Sequence, residues 1–338
     1  MKRISTLLTV LAAVLVLGFT LAACGSDSSS SSSSSSGGST STPSSGSSSS
    51  SGSSDSTLIK KDAANASTTI TVGSKNFDEQ FILGNIYAEA LSAAGYTVKK
   101  QLNLGSEQIA FKALKSGNID AYPEYTGTAL TSFYKVKTDN VPRDPTKSFD
   151  DLKSDLAKDN ITAMPQTPFQ NTYKVTSTKK TAVKYGTPKT LTDLVAKAGN
   201  SVKLSGFPEC RQRTDCYVGL EQTYKWKPKF VSSQGQYTDL DQGQSDFTMG
   251  FSTDGPLSTG KYVTYEDDKQ LFPPYYVTFM VRDTGVTKLG DGGKKVIEAV
   301  QKPLTEKVMQ ELNSRVTLDK QKPEKVAGDY LKEAGFVK

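Results

Sequence analysis

The sequence predicts an α/β protein built as two lobes, each around its own sheet. Three observations carry that expectation. A β-α-β-α-β order runs from Thr69 to Tyr122, a weaker series of strands follows between residues 172 and 281, and the tail is helical. Alternating strands and helices imply a mainly parallel sheet with right-handed crossovers.

The elements follow in order. Thr69-Ile-Thr-Val72 is a short β run, and Gly73-Ser-Lys-Asn76 turns it into a helix. Leu83, Ile86, Tyr87, Ala90, Leu91 and Ala94 recur at helical spacing, and Gly95 stops them. Tyr96–Leu102 is a second strand. Ser106 caps a helix whose apolar face is Ile109, Ala110, Ala113 and Leu114, and Gly117 ends it. Ile119–Tyr122 is a third strand. Its continuation, Tyr122-Pro-Glu-Tyr-Thr-Gly-Thr128, reads as a strand tip becoming a loop, because Pro123 has no N–H to donate to a central strand. Ser148–Asp151 and Thr190–Asp193 both fit the capping signature of a hydroxyl followed three residues later by an acid. Strands are expected at 172–176, 201–204, 229–231, 246–251 and 275–281. In the tail, Val296, Ile297, Val300, Leu304, Val308 and Leu312 keep helical period, with Pro303 dividing the run, and 323–334 forms a last helix. Such an element list suits a two-lobed binding protein, and equally a doubly wound enzyme.

The ends lie outside this fold. Lys2 and Arg3 precede an apolar run from Leu7 to Leu21, then Leu21-Ala22-Ala23-Cys24, which reads as a secretory signal over residues 1–23. The run is short for a membrane span. Leu-Ala-Ala-Cys-Gly resembles a bacterial lipobox, which implies acylation of Cys24 and attachment to the outer face of the cell membrane. The other reading is an ordinary signal with an incidental cysteine. Residues 25–57 are almost wholly Ser and Gly, with no apolar surface to bury. Residues 24–67 are therefore expected to be a disordered tether.

The chain has 338 residues and a formal charge of +6, which falls to +4 once Lys2 and Arg3 are removed. Charges are mixed along the sequence, with no basic stripe for nucleic acid. There is no histidine, which excludes Ser-His-Asp and Cys-His catalysis and removes the commonest metal ligand. No metal, no cofactor and no catalytic residue is expected. Two cysteines besides Cys24, Cys210 and Cys216, are close in an exported chain and are expected to form a disulfide. The alternative is two free thiols too far apart to bridge.

Candidate binding residues stand at strand ends, where α/β proteins place ligand contacts. Lys75 sits at a helix start that favours an anion, although a lysine beside an N-cap is commonly only a surface group. Asn171 and Tyr173 open a strand, Arg211 lies between the two cysteines, and Phe251 and Tyr275 stand in turn-like segments. Core packing is the other reading of the last two.

Several segments occur in a specific order: Ser-Lys-Asn-Phe at 74–77, Gln80–Gly84, the Tyr122–Thr128 heptad, Asn-Thr-Tyr at 171–173, Ser-Thr-Asp-Gly at 252–255, Glu-Asp-Asp-Lys at 266–269 and Phe-Pro-Pro-Tyr at 272–275. Together they resemble the substrate-binding protein of the glycine betaine/choline/carnitine ABC importers, over Thr69 to Lys338. The resemblance implies a periplasmic-binding-protein-like fold of type II with the ligand in the cleft between lobes. Lobe 1 would comprise 68–169 and 276–338, and lobe 2 would comprise 170–275. It implies a quaternary ammonium ligand caged by Tyr125, Tyr173, Phe251 and Tyr275. Lys75, Thr128, Asn171 and Arg211 would meet the ligand's carboxylate. Tyr122 and Glu124 then take structural roles, since strand alternation turns them away from Tyr125. Position 251 is Phe where the pattern has Tyr, and the cysteines beside Arg211 are not part of the pattern. The implied partners are an ABC permease and its ATPase, for a monomeric receptor tethered to the membrane. A choline receptor, a receptor for another small solute such as an amino acid, and an α/β enzyme such as a transferase are the competing readings.

Overall fold

A computed structural model of the chain describes residues 57–338. The expected signal segment, Cys24 and most of the expected tether lie outside these residues. Within the described residues, packing begins earlier than composition suggested. Ile59 donates its N–H to Phe336 O at 2.9 Å and Asp62 to Ala94 O at 3.0 Å, and Asp62 caps a 3-10 turn over Ala63–Ser67. One apolar side chain, Ile59, packs on the core and holds this stretch down.

Two five-stranded sheets carry the fold. In chain order the strands are β1 (Thr69–Gly73), β2 (Thr97–Gln101), β3 (Ala121–Tyr125), β4 (Ile161–Ala163), β5 (Tyr173–Thr178), β6 (Lys203–Gly206), β7 (Lys229–Ser232), β8 (Phe247–Phe251), β9 (Tyr262–Thr264) and β10 (Val277–Arg282). The first sheet has the order β2-β1-β3-β10-β4 and the second β7-β6-β8-β5-β9. Both are mixed rather than parallel. In the first, β1 runs parallel to β2 and β3, while β10 is antiparallel to β3 and β4. The returning strand β10 enters the first sheet after the chain has completed the second, and this reverses its direction. The short strands β4 and β9 had no sequence signal.

Pro123 lies inside β3, the central strand of its sheet, contrary to the expectation that the strand stops there. The register gives the reason. β1 meets β3 only at Val72 and Ala121, so beside Pro123 that edge has no strand partner. The other edge pairs with β10 as far as Tyr125, opposite Val277. A missing N–H is tolerated on an edge that is locally open.

Helices cover the first sheet: α1 (Asp78–Ala93), α2 (Glu107–Ser116) and α3 (Pro145–Ala157). The second lobe carries α4 (Leu191–Ala198), capped by Thr190, whose hydroxyl accepts from Asp193 N at 3.1 Å. Ser148 does not cap α3. Asp144 does so one turn earlier, accepting from Lys147 N at 2.7 Å, with Pro145 in the first turn. An acidic cap followed by Pro in the first turn outcompetes the hydroxyl. The tail forms α5 (Asp283–Gln301), α6 (Glu306–Thr317) and α7 (Pro323–Glu333). These pack back on α1, which is buried on nearly every face. Within that core the Tyr87 and Phe279 rings lie 4.3 Å apart, and the Tyr87 hydroxyl accepts from Gln301 at 2.9 Å.

The chain passes between the lobes twice, before β5 and before β10. The two passes lie side by side, joined by an antiparallel bridge between Gln170 and Tyr276. Cys210 and Cys216 form a disulfide in the second lobe. No helix among the described residues is long and apolar enough to cross a membrane.

Candidate functional site

The site is assembled at the two passes. Tyr173, the first residue of β5, is the centre of five rings. Phe251 lies 5.1 Å from it, Phe272 5.4 Å, Tyr275 5.5 Å and edge-on, and Phe207 6.1 Å and stacked. Strand pairing brings two of them together, since Tyr173 is opposite Phe251 in the β5–β8 register. Tyr275 is fixed by the backbone: Asn171 N donates to its carbonyl at 3.0 Å, and its own N–H donates to Gln170 Oε1 at 3.2 Å.

Tyr125 stands at the tip of β3 on the other lobe and stacks on Phe77 at 6.2 Å. It is tied to the second pass by its neighbours. Thr126 N donates to Tyr276 O at 3.0 Å and its hydroxyl donates to Pro274 O at 2.9 Å. Gly127 is required here. A Cβ on it would stand 2.7 Å from Pro274 O and 2.8 Å from the Tyr275 ring, closer than carbon contacts allow. Thr128 is buried in the single turn that follows. Tyr173 thus contacts two of the other expected cage residues, Phe251 and Tyr275, while Tyr125 contacts Phe77 and Lys75.

The polar groups differ more from expectation. Lys75, expected to meet a ligand carboxylate, already has a buried carboxylate of its own in Glu124, and its ammonium lies 4.5 Å from the centre of the Tyr125 ring. Glu124 also accepts from the Tyr122 hydroxyl at 3.1 Å and from Tyr125 N at 2.8 Å. Burial pushes the Glu124 carboxyl upward, with Lys75 pulling against it. Asn171 donates to Glu79 Oε1 at 2.9 Å. Arg211 is exposed. Arg213, two residues on, is the arginine that reaches the rings, its guanidinium carbon 6.0 Å from the Tyr173 centroid. It grips Asp215 with two bonds of 2.7 Å, and Asp215 in turn accepts from the Tyr275 hydroxyl at 2.5 Å. The disulfide decides between the two arginines. It pulls Cys210 and Cys216 inward, turns Arg211 outward and aims Arg213 and Asp215 at the cleft.

Sequence reading missed Phe207, Phe272, Arg213, Asp215 and Glu79. Phe272 was visible within the segment 272–275. Glu79 carried no signal beyond its place in the first turn of a helix. A cavity of about 540 Å³ is lined by Glu107, Gln108 and Lys135 from one lobe and by Glu209, Arg213 and Asp215 from the other, with none of the five rings in its lining. No cluster of three or more metal-ligating side chains occurs among the described residues.

Asp254 sets the position of Phe251. One of its oxygens accepts from Phe251 N at 2.8 Å and from the Tyr237 hydroxyl at 2.9 Å. Burial pushes its carboxyl up from 3.8 to about 6, those two bonds oppose the shift, and Glu79 adds to it. A raised folded-state value means the folded protein holds this proton more tightly than the unfolded chain. Stability is therefore full at acid pH and falls as pH rises through about 4 to 6. Asp254→Asn keeps the acceptor and removes the ionisation. Its melting temperature should match the wild type near pH 4 and exceed it above pH 6, by about 1–3 kcal/mol in stability. Thermal melts over that range test this, and a constant offset between the two proteins would refute it.

These features can be compared with known proteins. The family described as the substrate-binding domain of ABC-type glycine betaine transport systems matches residues 68–333. The glycine betaine-binding protein YehZ of Escherichia coli (strain K12) is 27% identical over 290 residues, covering 81% of this chain and 93% of that protein. The carnitine transport binding protein OpuCC of Listeria monocytogenes is 27% identical over 279 residues, covering 80% of this chain and 89% of that protein. A crystal structure described as a glycine betaine/carnitine/choline ABC transporter superposes with a TM-score of 0.69 at 25% identity, covering 78% of this chain and 98% of that one. The fold is that of type II periplasmic binding proteins. The chain belongs to the family of substrate-binding domains of ABC-type glycine betaine transport systems.

Proposed function

We propose that this chain is an extracytoplasmic solute receptor that binds a quaternary ammonium compatible solute, of the glycine betaine, carnitine or proline betaine type, and hands it to an ABC permease driven by its ATPase. The observation that supports it most is the group of rings around Tyr173 at the junction of the lobes. A trimethylammonium group has no N–H, so it cannot donate a hydrogen bond to a carboxylate. Ring faces suit it, at ~0.5–2 kcal/mol for each contact. In this reading Tyr125, Tyr173, Phe251 and Tyr275 hold the cation, joined by Phe207 and Phe272. Lys75, Thr128, Asn171 and Arg213, in place of the exposed Arg211, are set near the ligand's other end. The receptor acts as a monomer, held at the membrane by an acylated Cys24.

Choline is the second reading, and one observation favours it. Both cations near the rings already have partners, Lys75 in Glu124 and Arg213 in Asp215. A ligand carboxylate must share them, whereas choline makes no such demand. Calorimetric titration of the purified protein with glycine betaine, carnitine, proline betaine, choline and proline tests both. The first reading expects micromolar binding of one or more zwitterionic betaines. Choline binding alone selects the second, and absence of submillimolar binding for all five rejects both.

A further inference from the structure

The inference rests on the reading above and concerns Glu79, a residue that reading does not use. Glu79 lies in the first turn of α1 and is 4% exposed. One of its oxygens accepts from the Tyr125 hydroxyl at 2.7 Å and from Asn171 at 2.9 Å, and the other accepts from Asn313 at 2.8 Å. All three donors are neutral. Lys75 pairs with Glu124 and Arg213 with Asp215, which leaves two carboxylates near the rings without a cation, Asp254 and Glu79. Glu79 is the one that touches Tyr125. The start of α1 offers it roughly half a positive charge from the helix dipole, so part of the negative charge stays uncompensated. A buried carboxylate in that state is unfavourable until a cation comes near.

We infer that Glu79 is the counter-charge of the cage and sets its preference for a cationic headgroup over an uncharged group of the same shape. The route is the Tyr125 ring. A phenol that donates its proton to a carboxylate carries more electron density on its face, and a cation at that face is held by the ring's negative quadrupole. Because a quaternary ammonium cannot accept or donate a hydrogen bond, it feels Glu79 only through space and through this ring. Glu79 is thus a specificity-determining residue that acts from behind the contact surface. It also holds three segments together, namely the tip of β3, the first pass at Asn171 and α6. Asn313 on α6 donates in addition to Thr253 O at 2.8 Å. A structural role alone would weaken every ligand alike, and the test must separate the two.

Glutamine at 79 removes the charge and keeps an acceptor for Tyr125 and Asn171. Its amide nitrogen replaces the oxygen that accepts from Asn313 Nδ2 and can donate to Asn313 Oδ1, which has no partner among the described residues, once that side-chain amide flips. The affinities of wild type and Glu79→Gln are measured for glycine betaine and for 3,3-dimethylbutanoate, in which a tert-butyl group replaces the trimethylammonium. The ratio of the two affinities should fall at least tenfold in the variant. An unchanged ratio, with both ligands weakened equally or neither weakened, overturns the inference and leaves the functional reading standing. If Glu79→Gln does not fold, Tyr125→Phe is decisive instead. It keeps the ring and cuts its bond to Glu79, the ratio should again fall, and no change overturns the inference. If wild type binds glycine betaine, carnitine, proline betaine and choline not at all, the functional reading fails first and this inference with it.

Discussion

Replacing Tyr173 by leucine should lower glycine betaine affinity about thirtyfold while the protein stays folded. The ring is the one member of the cluster in contact with four others, Phe207, Phe251, Phe272 and Tyr275. Leucine preserves apolar bulk but offers no ring face to a cation. The lost contact is worth up to about 2 kcal/mol when desolvated, which is about thirtyfold in affinity. Looser packing of the remaining rings adds to the loss. Calorimetric titration well below the melting temperature separates binding from stability. A drop of less than threefold would show that the cation lies elsewhere. The neighbouring Phe251 is exchangeable in a way Tyr173 is not, because it makes ring contacts with only two of the others, Tyr173 and Phe207.

Lys75→Met should cost the protein about 3 kcal/mol or more of stability, even though methionine fills most of the same space. The substitution leaves Glu124, which is fully buried, without its cation. Breaking one side of a buried pair costs about 3–5 kcal/mol. The lower end applies here, because the Tyr122 hydroxyl and Tyr125 N still donate to the carboxylate. In a domain of this size that is a fall in melting temperature on the order of 10 °C. The double variant Lys75→Met with Glu124→Gln should recover most of it, since no lone charge remains. Equal melting temperatures for the single variant and wild type would show that water reaches Glu124. The same comparison bears on binding. If Lys75 is held by Glu124 in the bound state as well, the double variant keeps betaine affinity within a few fold.

Long-range order was legible where the sequence is locally regular. The helix after β1, the Gly117 stop and the Thr190 cap appear where period and capping chemistry place them. Pro123 misled because a local rule about donors cannot see that β1 ends beside Ala121 and frees that edge. The antiparallel course of β10 is likewise set by the order in which the lobes are completed, which periodicity does not encode. At the site, only part of the ring cluster was legible, Tyr173, Phe251 and Tyr275 through the family motifs but not the part that Phe207 and Phe272 play. The polar partners were not. Lys75 and Glu124 are 49 residues apart, and Glu79 and Asn313 are 234 apart. Whether a charge is free or already paired depends on such distant contacts. Arg211 and Arg213 lie in one short loop, and only the direction in which the disulfide folds that loop tells them apart.

The bridge between Gln170 and Tyr276 has a mechanical consequence. Two chain segments held side by side leave the lobes one easy motion, a turn about the line they share. Ser252 is bonded to Gln170 and Thr172 at the same corner, and α6 reaches Ser252 through Gln310. Atoms near such an axis are displaced little by the turn. Asn171 and Tyr275 each stand one residue from the bridge, so that corner of the site keeps its shape with the lobes apart or together. In the function proposed above, a solute lands on this corner before the lobes meet, and the loop from Cys210 to Cys216 closes last, where Thr214 meets Thr138 at 2.8 Å. In that reading capture speed belongs to a standing surface and residence time to a moving one.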